Sequence, residues 1–171
     1  MKIIKNKATG RILAGEFVGE TFEYDRMHLN KSELECFKNA GFESLDLSYT
    51  KFIGTHYYTD NFKLIGSKFD NAELKWAVFA YLDASGTSFE DANLYNAKLY
   101  RSRFIEANFK NANLCRSNLR LSCFKDANFE GANLRGAKIL LARFKGANIS
   151  GARMSLFMRI ILLIKGARHI R

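Results

Sequence analysis

Between residues 67 and 154 the chain repeats itself every five residues. In each unit a small residue stands two places before a large apolar one, through eighteen successive units. The small position is Ala twelve times, Ser four times, and Thr87 and Leu82 once each. The large position is Phe, Leu, Ile or Met in seventeen of the eighteen units, with Ala84 the exception. A period of five suits neither regular element. On an α-helix five residues sweep roughly 500°, so successive large residues would drift around the cylinder and build no face. Strand alternation has period two and falls out of step with fives. Each unit is therefore one straight side of a coil that turns a corner before the next unit begins, which is the sequence mark of a solenoid.

The large positions also count the sides. Phe69, Phe89, Phe109 and Phe129 are identical at a spacing of twenty, as are Leu74, Leu94, Leu114 and Leu134. Five-residue sides with a twenty-residue repeat make four sides per coil. Like side chains then stack on like, about 4.8 Å apart where backbone hydrogen bonds join the coils. The small residue points inward near a corner, and the other three residues of each unit are expected to face water.

The runs Ala92-Asn93-Leu94, Ala107-Asn108-Phe109, Ala112-Asn113-Leu114, Ala127-Asn128-Phe129 and Ala132-Asn133-Leu134 resemble the A-(D/N)-L-x-x motif of pentapeptide-repeat proteins. The resemblance implies an all-β fold, a right-handed quadrilateral β-helix. It implies no single activity, since a fold shared this widely carries many functions. Some members protect DNA gyrase from quinolones by imitating duplex DNA with a negative surface, and the C-terminal elements of some members form dimer contacts.

In chain order, residues 1–39 read as an N-terminal cap. Ile3-Ile4 and Ile12-Leu13 flank a turn-rich Asn6–Gly10, which predicts a hairpin over 2–18. This opening is similar to the short cap ahead of the repeats in some phage and bacterial members. Ser32 and Glu35 form a capping box that predicts a short helix over 33–39, ending at Gly41. A first coil leaves ladder groups and core open, which is the physical need for such a cap. Residues 40–154 are the repeat, and its early units run in a different phase. Two extra residues must bulge out between 55 and 63. Residues 155–171 read as an apolar and basic C-terminal helix. That helix is either a lid on the last coil or a dimer contact, through Leu156, Phe157, Ile160, Ile161, Leu163 and Ile164, or a basic amphipathic membrane anchor.

The formal charge is +10, and it is unevenly placed. The side holding Leu114 and the next side, holding Leu119, together carry +7, while the other two sides nearly balance. The Leu119 side has no acid. It shows Tyr81, Lys98, Tyr100, Arg101, Arg120, Leu121, Lys138, Leu140 and Leu141, and the bulge adds Tyr58 one coil earlier. Exposed Tyr with Arg is the composition of an interface, whereas a solvated face favours Lys with Glu. The expected function is a non-enzymatic scaffold that docks a protein or another anionic macromolecule on this side. Modulation of gyrase and non-specific nucleic-acid binding through Lys98, Arg101, Arg116, Arg120 and Arg135 are the alternatives.

Nothing in the sequence calls for an enzyme or a cofactor. His28, His56 and His169 have no ligand partner at metal spacing. The glycines sit at corners, outside any phosphate-binding loop. A coil filled by Phe and Leu leaves no room for a substrate. Cys36, Cys115 and Cys123 are odd in number and read as reduced thiols of a cytoplasmic protein. No secretory leader and no membrane span is expected.

Overall fold

The computed structural model describes residues 64–168 throughout, and the backbone of three strands before them: β1 (Thr21–Phe22), β2 (Lys51–Phe52) and β3 (His56–Lys63). The expected hairpin over 2–18 and helix over 33–39 lie outside the described residues, as do His28, Cys36 and His169.

From residue 64 onward the chain climbs as a four-sided coil. Parallel bridges join Lys68 to Ser88, Ser88 to Asn108, Asn108 to Asn128 and Asn128 to Asn148, always twenty residues apart. The other three sides carry bridges of the same spacing, through Asn93–Asn113, Lys98–Asn118 and Arg103–Cys123. Every small position from Ser67 to Ala152 is buried. So is every large one except the half-buried Ile139 and Met154. Phe89, Phe109 and Phe129 stack with centroids 5.0 Å apart and planes within 7° of parallel. Phe104, Phe124 and Phe144 form a second column at 5.0–5.2 Å. The two columns meet edge-on, as in Phe109 against Phe124 at 6.0 Å and 65°. Stacked and edge-to-face rings are both favourable arrangements of the aromatic quadrupole.

The corners explain the period. The amide of Ala112 donates to the carbonyl of Phe109 at 3.1 Å, and Asn111 between them has φ 59°. A four-residue turn whose third residue alone is left-handed is a type II turn. With most of each unit spent on a turn, only one residue per side bridges to the next coil. The walls are consequently ladders of single bridges, and extended sheet is scarce in this all-β coil. Strand β4 (Val78–Asp83) is the longest stretch of sheet within the coil. It pairs in parallel with β3, and the register shifts on the way: His56 lies opposite Val78, but Phe62 lies opposite Leu82. β3 thus holds two more residues than β4 between these pairs. β1 pairs in parallel with β2.

A helix, α1 (Leu156–Ile164), follows the last full coil. Ser155 caps it, its hydroxyl accepting from the Met158 amide at 3.2 Å. At the other end the amide of Gly166 donates to Leu163 and that of Ala167 to Leu162, a Schellman closure with Gly166 at φ +82°. The ladder then resumes. The amide of Gly146 donates to Gly166 at 2.7 Å, and Arg168 donates to Ala147 and bridges to Asn148. The helix therefore occupies two sides of one coil without disturbing the twenty-residue register. Leu162 is fully buried in the core, and Met158 packs against it. Two of its cations complete the rung below: Arg159 Nη2 donates to the Ala152 carbonyl at 2.9 Å and Lys165 Nζ to that of Ala142 at 3.1 Å. In lower coils the corresponding carbonyls of Ala132 and Ser122 accept from the amides of Arg153 and Arg143. The side chains stand in for ladder amides that a helix cannot supply. Among the described residues no helix is long and apolar enough to cross a membrane.

Candidate interaction surface

The four sides treat their outward polar groups differently. On the Leu114 side, Asn133 Nδ2 donates to Asn113 Oδ1, Asn113 Nδ2 to Asn93 Oδ1, and Asn93 Nδ2 to Glu73 Oε2, at 3.1–3.4 Å. Each Oδ1 also accepts the amide two residues on, as from Cys115 to Asn113 at 3.2 Å. The Phe109 side carries a second such ladder, from Asn148 through Asn128 to Asn108. These side chains are committed to the coil.

The Leu119 side has no such ladder. Its bridging column is Val78, Lys98, Asn118 and Lys138. Val78 and Ala80 are buried although the repeat aims them outward, which corrects the expectation that all three such positions face water. Lys98, Arg101, Arg120, Leu121, Lys138, Leu140 and Leu141 are exposed, and Tyr81 and Tyr100 are half-buried. The backbone of Tyr58 lies in β3 opposite Ala80. The ion pairs among the described residues lie off this side: Lys75 with Glu73, Arg103 with Asp83, and Lys125 and Arg168 with Asp126.

The corners that bound this side hold its aromatic residues. Arg101 Nη1 donates to the Tyr81 hydroxyl at 2.9 Å, and its guanidinium lies 5.6 Å from the centre of the Tyr81 ring. Tyr100 meets Tyr81 edge-on at 5.6 Å. Across the side, the Arg116 guanidinium lies 5.9 Å over Tyr95, and Trp76 meets Tyr95 edge-on at 6.3 Å. Tyr95 belongs to the Leu114 side. Trp76 and Arg116 are corner residues, with φ 57° and 60°, and stand on the edge that both sides share.

Backbone conformation sets this border apart. Corner residues throughout the coil are left-handed, a conformation that glycine adopts freely and that Asn and Asp tolerate. One corner column uses those residues throughout, Asn71, Asp91, Asn111, Gly131 and Gly151, and two others use them except at Glu106, Trp76 and Arg116. A Cβ on Gly131 would also meet Asn111 Oδ1, and that side chain would have to turn aside. The corner beyond the Leu119 side holds Tyr81, Arg101, Leu121 and Leu141, with φ 53–61° and no glycine, Asn or Asp among them. Its turn is also built differently. The amide of Leu82 donates to Ser102 Oγ at 3.2 Å, and that hydroxyl donates to the Phe79 carbonyl at 3.2 Å. One coil higher, Ser122 does the same between the Ser102 amide and the Leu99 carbonyl, at 3.0 and 2.6 Å. A hydroxyl from the coil above thus bridges the turns at Tyr81 and Arg101, whereas at Leu141 the amide of Ala142 donates directly to Ile139 at 3.0 Å.

Of the six apolar α1 residues singled out in the sequence, Leu156, Phe157, Ile160, Leu163 and Ile164 are exposed and Ile161 is half-buried. The residue that enters the core is Leu162, which a uniformly apolar run does not distinguish from its neighbours. Cys115 and Cys123 are free thiols, and the described residues contain no cluster of His, Cys, Asp and Glu able to hold a metal ion.

The family model for pentapeptide repeats matches residues 63–94, 85–120 and 122–156, in eight copies. Among solved structures, a pentapeptide repeat protein of the cyanobacterium Cyanothece 51142 is 20% identical with a TM-score of 0.55, over 67% of this chain and 88% of its own. This likeness supports the right-handed β-helical architecture. A pentapeptide repeat protein of the Arabidopsis thaliana thylakoid lumen is 21% identical, with a TM-score of 0.47 over 61% of this chain and 78% of its own. QnrB1, a plasmid-mediated fluoroquinolone resistance protein, is 21% identical in a trypsin-treated form, with a TM-score of 0.38 over 86% of this chain and 93% of its own. No curated protein sequence matches the chain significantly.

Proposed function

The chain belongs to the pentapeptide-repeat family, and on that premise we propose that it is a cytoplasmic, non-enzymatic scaffold that docks a macromolecular partner on its Leu119 side. One observation carries the reading. An acid-free wall is bordered by Tyr81, Arg101, Leu121 and Leu141, each held left-handed where glycine or asparagine would be easier. The turn imposes this φ at every corner, so what asks for a reason is the choice of Tyr, Arg and Leu at four successive corners, and residues kept against their backbone preference gather at functional sites. Tyr and Arg are also residues that anchor interfaces, and exposed leucines gathered in one patch mark an interaction surface. Unpaired cysteine spacing supports the cytoplasmic placement.

Imitation of duplex DNA, as a route to gyrase, finds no support in the surface charge. Residues 64–168 carry 17 lysines and arginines against 8 acids.

The test is a pull-down with the full chain and with Arg101→Glu/Arg120→Glu. The variant is expected to lose the partner while keeping its melting temperature. An unchanged set of partners would remove the Leu119 side from the proposal.

The exposed apolar residues of α1 favour a second role, contact with another copy of the chain. Leu156 and Phe157 are each 75% exposed and Ile164 is 80% exposed, more apolar surface than one helix ordinarily leaves in water. Sedimentation is expected to show a dimer that Phe157→Asp/Ile164→Asp converts to monomer. A wild-type monomer at every concentration would end this second reading.

A further inference from the structure

At each edge of the Leu119 side an exposed arginine lies against a tyrosine ring. Arg101 is held by a hydrogen bond to Tyr81 and by the ring beneath it, and Arg116 by the ring of Tyr95. Tyr100 and Trp76 brace those rings from the side. A guanidinium offers five N–H donors in a planar fork that matches a carboxylate, and Arg101 spends one of them on Tyr81. Fixing a long side chain in advance removes ordering entropy that binding would otherwise cost. Lys98, Arg120 and Lys138 lie between the two edges. Toward the C-terminal end the same side changes character: Leu121, Leu140 and Leu141 are 47%, 57% and 65% exposed.

We infer that the Leu119 side receives an acidic polypeptide segment that also carries aliphatic side chains. Its carboxylates meet Arg101 and Arg116, and its aliphatic groups cover Leu121, Leu140 and Leu141. The inference rests on the docking reading above and names the class of partner. Charge complementarity selects an anion, since this side holds no acid among the described residues. Two features select polypeptide over single-stranded nucleic acid. Bases bind such proteins by stacking on open aromatic faces, and here guanidiniums lie over Tyr81 and Tyr95. A phosphodiester backbone would also leave the leucines in water. A second copy of the chain is a poor occupant, because its own described surface is cationic.

The test uses the full chain and fluorescence anisotropy with three labelled probes of equal negative charge. They are a peptide of about 20 residues built equally from Glu and Leu, a polyglutamate, and an oligothymidylate, at about 0.15 M salt, where loose surface attraction is screened. The Glu/Leu peptide is expected to bind about tenfold or more tighter than either other probe. Arg101→Ala/Arg116→Ala is expected to weaken it about tenfold at unchanged melting temperature. Leu140→Ser/Leu141→Ser is expected to reduce it to the level of polyglutamate. Equal binding of the peptide and polyglutamate would overturn the inference. Tightest binding by oligothymidylate, lost in Arg101→Glu/Arg120→Glu, would overturn it too while leaving the side as a docking wall. Binding indifferent to all these substitutions, or no binding by any probe, would overturn the inference. Only the pull-down decides whether the docking reading falls with it.

Discussion

The Leu114 and Leu119 sides share a corner and a repeat, yet they use their outward residues in opposite ways. On the Leu114 side Asn93, Asn113 and Asn133 give both ends of their amides to the coil, Nδ2 to the level below and Oδ1 to a backbone amide. On the Leu119 side the same levels present Lys98, Arg101, Arg120 and Lys138 to solvent, and the hydroxyls that hold its corner, Ser102 and Ser122, are buried. In the first case the surface stabilises the rod. In the second, the bonds that hold the corner are buried and the outward cations form no ladder along the coil. A solenoid can divide labour in this way because each coil touches only its neighbours, so one wall can depart from the rule while the others keep it.

The largest effect expected from testing this contrast is at Asn113. Asn113→Ala removes the bond to Asn93, the bond from Asn133 and the acceptor of the Cys115 amide. Net contributions of about 1 kcal/mol per bond, softened by water at a half-buried site, give a loss of about 2 kcal/mol. Arg120→Ala, on the same level of the next side, is expected to change stability by less than about 0.5 kcal/mol. Thermal or urea unfolding of the two variants checks both. Equal losses would mean that the two sides are not specialised.

Much of this rod was legible in the sequence, because what faces inward obeys a period and little else. Phe109 sits between Phe89 and Phe129 for the reason its spacing gives: only a twenty-residue coil brings identical rings together. The surface was less legible. A five-residue period does not show that Trp76 and Arg116 stand on a shared edge, because a left-handed corner residue belongs to two sides at once. The serine bridges could not be read either, since a hydroxyl at residue 102 acts on a turn that begins at residue 79. The exposure of Leu141 follows from its place in the unit, whereas its left-handed φ of 58° leaves no mark in a leucine. A small residue at an inward position announces its reason locally, whereas an outward residue takes its meaning from the coil above or below.

A smaller effect than that at Asn113 separates the sides most sharply, because its sign is reversed. Leu121 and Leu141 hold φ of 61° and 58°, where an L-residue with a branched chain suffers contact between its Cβ and the following carbonyl. Asparagine accepts that conformation more readily, and the chain already uses it at Asn71, Asn96 and Asn111. Leu121→Asn/Leu141→Asn is therefore expected to raise stability by about 1 kcal/mol, a gain of a few degrees in melting temperature. The same double variant should lose affinity for the Glu/Leu peptide, since it removes most of the apolar end of the wall. Stability gained as binding is lost would mean that these leucines are kept against the interest of the fold. A fall in stability would instead mean that the leucines pack usefully on the coil, and the corner would then lose its standing as a site held for a partner.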